Sequence, residues 1–292
     1  MKVLITGAGG QLGRALLALA PPDSTVLALT HGRLDVAEPS AVDAVLREFR
    51  PDVLINAAGF TRVDDAENEP EAAQRANATG PAVLARGCRK SAAWLVQIST
   101  DYVFDGAQGR PYTPASRANP LSTYGRSKLA GEQAVASELP DQSTVVRTSW
   151  LYAADGRNFL TTMLRLMHTR PALSVVSDQV GAPTSVAGLA RVLWAFAQRR
   201  VPGLHHWCDS GVASWYDFAI AIAEEALALG ILASAPTVIP ITSGEYPAAA
   251  RRPSYSLLDK RATERLLEIA AAHWRSALRE TLTAIRCGGP QP

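Results

Sequence analysis

Cysteine is scarce in this 292-residue chain, and the three present, Cys88, Cys208 and Cys287, lie far apart and are odd in number. They offer neither a disulfide framework nor a metal-ligand spacing, so reduced thiols in a cytoplasmic protein are the expectation. The five histidines, His31, His168, His205, His206 and His273, likewise stand at no ligand spacing with acids or cysteines, and their plain reading is structural. No metal site is expected. Long apolar runs are missing too: no stretch approaches the roughly 20 residues of a membrane helix. The opening apolar run, Val3–Ile5, is too short for a secretory leader. Blocks of like charge are absent, since the formal net charge is only +2 and basic pairs such as Arg199-Arg200 are isolated. That balance argues against nucleic acid and membrane surfaces as partners. Internal repeats and low-complexity tracts are also lacking.

What is present is apolar content, 47% of residues, enough for a full core. Through residue 150, short Val/Ile/Leu-rich runs (Val3–Ile5, Val26–Leu29, Val53–Ile55, Trp94–Ile98, Val145-Val146) alternate with helical periodicity, as in Leu12–Ala20 and Ala41–Phe49. Strands alternating with helices predict right-handed βαβ units, and continuous rather than alternating apolar strands predict a parallel sheet covered on both faces. The fold class is therefore α/β, a Rossmann-type doubly wound parallel sheet over 1–150. Beyond Trp150 the rhythm changes, with helices expected at Phe159–His168, Ala187–Gln198, Trp215–Leu229 and Trp274–Ile285. A strand is expected at Leu173–Val176, a loop at Asp178–Thr184 and an extended connection over Pro236–Pro253, with a frayed tail from Gly288. Residues 151–292 are read as a smaller substrate-binding lobe that interleaves with the first. Trp194, Trp207, Trp215 and Trp274 are read as core or lobe-interface residues.

The first strand ends in Gly7-Ala8-Gly9-Gly10-Gln11-Leu12-Gly13, and a helix opens immediately after it. Gly7 permits the tight turn, Gly10 lets backbone approach a pyrophosphate, and Gly13 lets the helix pack closely on the sheet. The helix N-terminus then turns unpaired N–H groups toward the phosphates of a dinucleotide. After the second strand stands Thr30-His31-Gly32-Arg33, with no acid to take a ribose 2′-hydroxyl. Arg33 and His31 favour a 2′-phosphate and hence NADPH, with NADH possible; the alternative is that Arg33 is only a surface residue. Asp35 is placed beside the adenine. Small side chains at Ala57, Ala58 and Gly59 leave room for a flat cofactor, or simply allow close helix–sheet packing.

The reactive candidates are Tyr124 and Lys128, four residues apart and so on one helix face. A free tyrosine holds its proton too tightly for exchange near neutral pH, and a neighbouring ammonium is expected to lower that affinity. Tyr124 then becomes a general acid for a developing alkoxide, while Lys128 can also hold the nicotinamide ribose. About 24 residues earlier another strand ends in Ser99-Thr100-Asp101. The Thr100 hydroxyl can bond the same substrate oxygen, or act as an ordinary cap.

With these residues in place, the chain resembles the extended short-chain dehydrogenase/reductases that act on nucleotide sugars, and among them the dTDP-4-dehydrorhamnose reductase family. The resemblance spans nearly the whole chain. It rests on Arg50–Ala58, Ser99–Gly106, Asn119–Glu132, Arg147–Tyr152, Asn158-Phe159, Asp178–Thr184 and Arg251–Pro253. It implies hydride delivery from NADPH, consumed as a cosubstrate, to C4 of a dTDP-4-keto-6-deoxy sugar, giving dTDP-L-rhamnose. Tyr124 would protonate the new oxygen with help from Lys128, Thr100 would hold that oxygen, Asp101 would bind substrate and Trp150 would pack on the sugar. The resemblance further implies cofactor contacts at Gly10, Gln11, Leu12, Asp35, Val36, Gly59, Phe60, Thr61 and Ile98.

Arg252, before a proline, could clamp the substrate's diphosphate or form a surface salt bridge. Some members of the family dimerise around a magnesium ion held by acids at positions that match Ala15 and Ala187 here. Neither alanine can ligate a metal, so a monomer or a weak homodimer without a metal bridge is expected. Two other readings stay open: a related nucleotide-sugar reductase or epimerase, and a non-catalytic nucleotide-binding subunit.

Overall fold

Each apolar run of the first half becomes a strand: β1 (Lys2–Thr6), β2 (Thr25–Leu29), β3 (Val53–Asn56), β4 (Trp94–Thr100) and β5 (Ser143–Thr148). Between them run α1 (Gln11–Ala18), α2 (Pro39–Phe49), α3 (Asp65–Asn68), α4 (Pro70–Gln74), α5 (Gly80–Ser91) and α6 (Thr123–Glu138), with a π-helical turn at Arg75–Thr79. The second half adds β6 (Leu151–Tyr152), α7 (Phe159–Thr169), β7 (Ala172–Val176), β8 (Val180–Gly181), β9 (Thr184–Ser185) and α8 (Val186–Arg199). It continues with β10 (Gly203–His206), β11 (Ala213–Ser214), α9 (Trp215–Ala228), β12 (Thr237–Ile241), α10 (Arg261–Leu267) and α11 (Trp274–Gly288). The structure, a computed structural model, describes residues 1–288. The tail expected to fray lies, apart from Gly288, outside the described residues.

The central sheet has the order β10-β5-β4-β3-β1-β2 and is parallel throughout. Every residue of β3, β4 and β5 is buried, which is why these strands read as unbroken apolar runs. The connections reverse direction between β1 and β3, and the crevice beyond their carboxyl ends is where such sheets bind ligands. Helices cover both faces. On one, α8 packs beside α1, so that Leu189, Val192 and Phe196 meet Val3, Ile5 and Leu16. On the other, Val42 and Leu46 of α2 and Val83 and Leu84 of α5 cover Leu4, Leu54 and Leu95.

Residues 151–288 divide between two cores. α8 and β10 return to the central sheet, whereas α7, α9, α11 and β7 enclose a second core around Tyr152, Leu160, Phe218, Ile222 and Leu278. Trp194 and Trp207 are buried in the first core, with Trp194 Nε1 donating to the Leu16 carbonyl at 3.0 Å, and Trp274 is buried in the second. Six strands of the second half, β6 and β8 to β12, were not anticipated. β10 lies at a sheet edge, paired only with β5, and its Gly-Leu-His-His sequence carries no apolar run. β12 contains Pro240 and pairs only with β7, so the expected extended connection begins as a strand. The expected loop 178–184 holds the two-residue strands β8 and β9, too short to leave a periodicity.

A buried polar seam crosses the sheet just below the crevice. Thr6 Oγ1 donates to Asn56 Oδ1 (2.6 Å), Asn56 Nδ2 to Gln97 Oε1 (2.7 Å), and Gln97 Nε2 to the Ile98 carbonyl (2.8 Å). Asn56 Oδ1 also accepts from the Ala58 amide (3.1 Å) and so shapes the turn after β3. Replacing Asn56 by leucine strands the buried Thr6 hydroxyl and Gln97 amide oxygen and frees the Ala58 N–H at the cleft floor. Urea unfolding of Asn56→Leu should show a loss of about 2–4 kcal/mol, whereas an isolated polar residue of no consequence would give a loss near zero.

Candidate active site

The crevice is a long cleft in two contiguous parts of about 730 and 550 Å³ that share Gly9, Gly10, Ala57, Ala58, Gly59 and Thr61. Gly7 makes the turn after β1 at φ 68°, and a Cβ there would lie 2.5 Å from the Ala57 and Ala58 backbone. No larger residue fits. α1 begins on Gly10 with no side-chain cap, which leaves the first-turn amides open toward the cleft. That cradle of glycine backbone and uncapped helix end suits a diphosphate. Gln11, Leu12, Asp35, Val36, Phe60, Thr61 and Ile98 also line the cleft. Gly13 does not line it and serves the packing of α1 against Gly7.

Arg33 does not line the cleft either. It sits in the exposed turn after β2, and the basic residues lining this end are His31, Arg62 and Arg75. Arg75, on the π-helical turn, is held by Asp35 (2.8 Å) and Glu38. Sequence spacing counted from β2 could not find Arg62 or Arg75, because they arrive from the segment after β3.

At the other end, the cleft brings together Thr100, Asp101, Tyr124, Lys128 and Trp150. Tyr124 and Lys128 project from the first turns of α6, whose start is fixed twice over. Ser122 Oγ accepts from the Gly125 amide (3.1 Å), and Glu67 accepts from the Thr123 amide (2.8 Å) and hydroxyl (2.7 Å). Lys128 Nζ donates to the Ile98 carbonyl at 2.6 Å. Its buried position lowers its proton affinity to about 8, against a raising effect of Glu132. The expected lowering of Tyr124 by Lys128 is not found. Burial pushes the Tyr124 phenol up to about 12, and it is hydrogen bonding with Thr100 that opposes the rise. Lys128 Nζ bonds the Ile98 carbonyl with one of its three donors, and the raised Tyr124 phenol keeps its proton at neutral pH. The capping reading of Thr100 holds, because its Oγ1 accepts from the Tyr102 amide (3.2 Å), and the residue also lines the cleft.

One turn beyond Lys128, Glu132 is buried against Arg147 of β5 in a two-pronged pair, Nε–Oε1 2.8 Å and Nη2–Oε2 2.6 Å. Ser99 of β4 donates its hydroxyl to the same carboxylate. The guanidinium also lies 5.0 Å from the centre of the Phe104 ring. Asn77, on the π-helical turn, ties the opposite side: its amide bridges the Phe60 backbone (2.9 Å both ways) and Ser127 Oγ (3.0 Å). Neither Glu132 nor Asn77 was singled out from the sequence as a site residue. Their position one helical turn from Lys128, or next to Ser127 in space, was the available signal only for Glu132.

Arg252 stays outside the substrate wall. Its guanidinium binds both oxygens of Asp64 (2.6 and 3.1 Å), so the salt-bridge reading holds. Trp215, read as a packing residue, lines the cleft and lies flat against Trp150. His206 is neutral and structural: Nδ1 donates to the Tyr112 carbonyl (3.0 Å), and burial pulls its proton affinity down to about 3.

The RmlD substrate binding domain family matches residues 1–287 of the chain. The chain is 40% identical over 286 residues to the dTDP-4-dehydrorhamnose reductase of Aggregatibacter actinomycetemcomitans, covering 95% of this chain and 97% of that one. The crystal structure of a dTDP-4-dehydrorhamnose reductase from Clostridium acetobutylicum superposes with a TM-score of 0.91 at 40% identity, over 98% of this chain and 100% of the other. A dTDP-4-dehydrorhamnose reductase from Bacillus anthracis, solved in complex with NADP, gives a TM-score of 0.91 at 37% identity, over 97% and 98%.

Asp101 is one titratable group through which pH should act on this site, beside Lys128. Burial raises its carboxyl from 3.8 to about 7, against hydrogen bonds from Ser256 Oγ (2.5 Å) and Thr100 Oγ1 (3.1 Å). The folded value exceeds the unfolded one, so the stabilising contribution is complete below about pH 4 and is lost as pH rises through 7. Between pH 4 and pH 9 the wild type should therefore lose roughly 2–4 kcal/mol relative to Asp101→Asn, which cannot ionise. Unfolding curves at the two pH values measure this, and a pH-independent difference would contradict it.

Proposed function

The chain belongs to the RmlD family of dTDP-4-dehydrorhamnose reductases, which are NAD(P)H-dependent oxidoreductases, and on that premise we propose that it reduces the 4-keto group of dTDP-4-dehydro-6-deoxy-L-mannose to dTDP-L-rhamnose. The observation that carries this reading is the convergence of Thr100, Tyr124, Lys128 and Trp150 at one end of a cleft whose other end is the glycine cradle. Cofactor and keto sugar would meet where the two parts join.

The cofactor assigned is NADPH, with NADH as a second cosubstrate. Support comes from the basic residues His31, Arg62 and Arg75 at the adenosine end, from the lack of an acid directly after β2, and from the NADP in the Bacillus anthracis relative. When bound, the reduced nicotinamide supplies the hydride. The chain's own residues do the rest. The open amides of α1 take the diphosphate, and Lys128, already aimed at the cleft floor, takes hydroxyls of the ribose. Thr100 Oγ1 holds the sugar oxygen, and Tyr124 gives it a proton. A phenol raised to about 12 suits this direction of reaction, since it remains protonated at neutral pH and is still a stronger acid than the alcohol formed. Asp101 and Trp150 bind the sugar. Ala15 and Ala187 offer no carboxylates, which supports a monomer or weak homodimer without a bridging metal.

Incubation with dTDP-4-dehydro-6-deoxy-L-mannose should oxidise NADPH stoichiometrically, and faster than NADH. Tyr124→Phe should bind NADPH normally and lose turnover by about 10²-fold or more. Sugar isomerisation without net NADPH oxidation would replace this reading by an epimerase, and unchanged turnover in Tyr124→Phe would remove the phenol from the mechanism.

A further inference from the structure

Trp150 lies between β5 and β6, immediately before the latter, and its backbone sits at φ 47°, a left-handed conformation rare for a bulky side chain. Such strain persists only where the surroundings over-determine it. Here two contacts do so. The indole stacks on Trp215 with ring centres 3.6 Å apart and planes 5° from parallel. Gly181 of β8 approaches so closely that a Cβ there would lie 2.9–3.0 Å from three indole atoms.

Trp215 is itself held firmly. It is the first residue of α9, behind a capping box in which Ser214 Oγ accepts from the Asp217 amide (3.0 Å) and Asp217 accepts from the Ser214 amide (2.8 Å). Phe159 leans on it, centres 4.7 Å apart, and Phe159 stacks in turn on the buried Phe218 of the second core. The pairing of β11 with β8 sets Ala213 opposite Gly181. One short two-strand ladder therefore places both contacts on Trp150. A tryptophan pair serving only as core would be buried and unstrained. These two are half-buried, one is strained, and both line the cleft beside Thr100 and Tyr124.

We infer that Trp215 is a positioning residue for the nucleotide sugar, acting through Trp150: stacking locks the Trp150 indole in the one orientation on which the sugar ring packs. The inference rests on the reading of Trp150 as a sugar-binding residue. It assigns the second core a part in substrate affinity without contact with the cofactor.

The test compares Trp215→Ala, Trp215→Phe and Gly181→Ala with the wild type. The readouts are KM for the nucleotide sugar, kcat, the Kd for NADPH and the exciton couplet that stacked indoles give in circular dichroism. Wild-type turnover, measured first, tests the functional reading separately; if it is absent, that reading and this inference fall together. With an active wild type, Trp215→Ala should abolish the couplet and raise the sugar KM about 10-fold, with kcat and the NADPH Kd nearly unchanged. Trp215→Phe should lose the couplet yet recover most of the KM, because a phenyl ring still supports the indole. Gly181→Ala, which displaces Trp150 while leaving Trp215 intact, should raise the KM as Trp215→Ala does. An unchanged KM in Trp215→Ala, no recovery in Trp215→Phe, or a parallel rise in the NADPH Kd would each overturn the inference.

Discussion

The buried pair between Glu132 and Arg147 is the constraint on which the geometry of the reactive end depends. Both side chains are more than nine-tenths withdrawn from water. Taking two charges out of water costs several kcal/mol per ion, so such a pair is no automatic gain in stability. What it supplies is position. The carboxylate on α6 is bound by Arg147 of β5 and Ser99 of β4, so one side chain fixes the helix against two adjacent strands. Lys128 lies one turn before it on the same helix, and Thr100 directly follows Ser99. The donors at the cleft are thus fixed relative to one another by a contact that lies behind them.

Burial also sets the chemistry. A phenol without a charged partner holds its proton, and reduction of a ketone needs that form. The ammonium of Lys128 is engaged by the Ile98 carbonyl, on the strand that also carries Thr100. The polar seam Thr6–Asn56–Gln97 runs under the same crevice and sets the turn that leads to Gly59. At the substrate side the second core reaches the cleft through Trp215. The glycine cradle, the Tyr124–Lys128 pair and the Trp150–Trp215 wall of the cleft are thereby built on the sheet, on α6 and against the second core respectively.

Much of this was legible in the sequence. Central parallel strands advertise themselves because both faces are buried, so β1, β3, β4 and β5 could be read directly. The glycine loop and the spacing of Tyr124 and Lys128 carry their chemistry in residue type and periodicity. What stayed hidden depends on distant partners. β10 and β12 have one sheet neighbour each and lack the pattern of doubly buried strands. Arg252 looked free for a phosphate because Asp64, which binds it, is 188 positions away. Arg33 had the right spacing from β2, but Arg62 and Arg75 reach the same region from another segment. Trp215 carried no signal beyond its size, since its role depends on a second indole. The direction of the Tyr124 shift was misjudged for a related reason: spacing shows that Lys128 can face the phenol but cannot show how deeply the fold buries it.

The most direct test of the central claim is the kcat of a Glu132→Gln, Arg147→Met double variant. Replacing both partners leaves no unpaired buried charge, so the chain should fold, but the three-way tie between α6, β4 and β5 is gone. The account predicts a kcat lowered about 10-fold or more, as expected when reacting groups lose their alignment, with NADPH still bound at the glycine cradle. A kcat within about two-fold of the wild type would contradict it, because a change that small, about 0.4 kcal/mol, would mean that the pair does not position the catalytic groups.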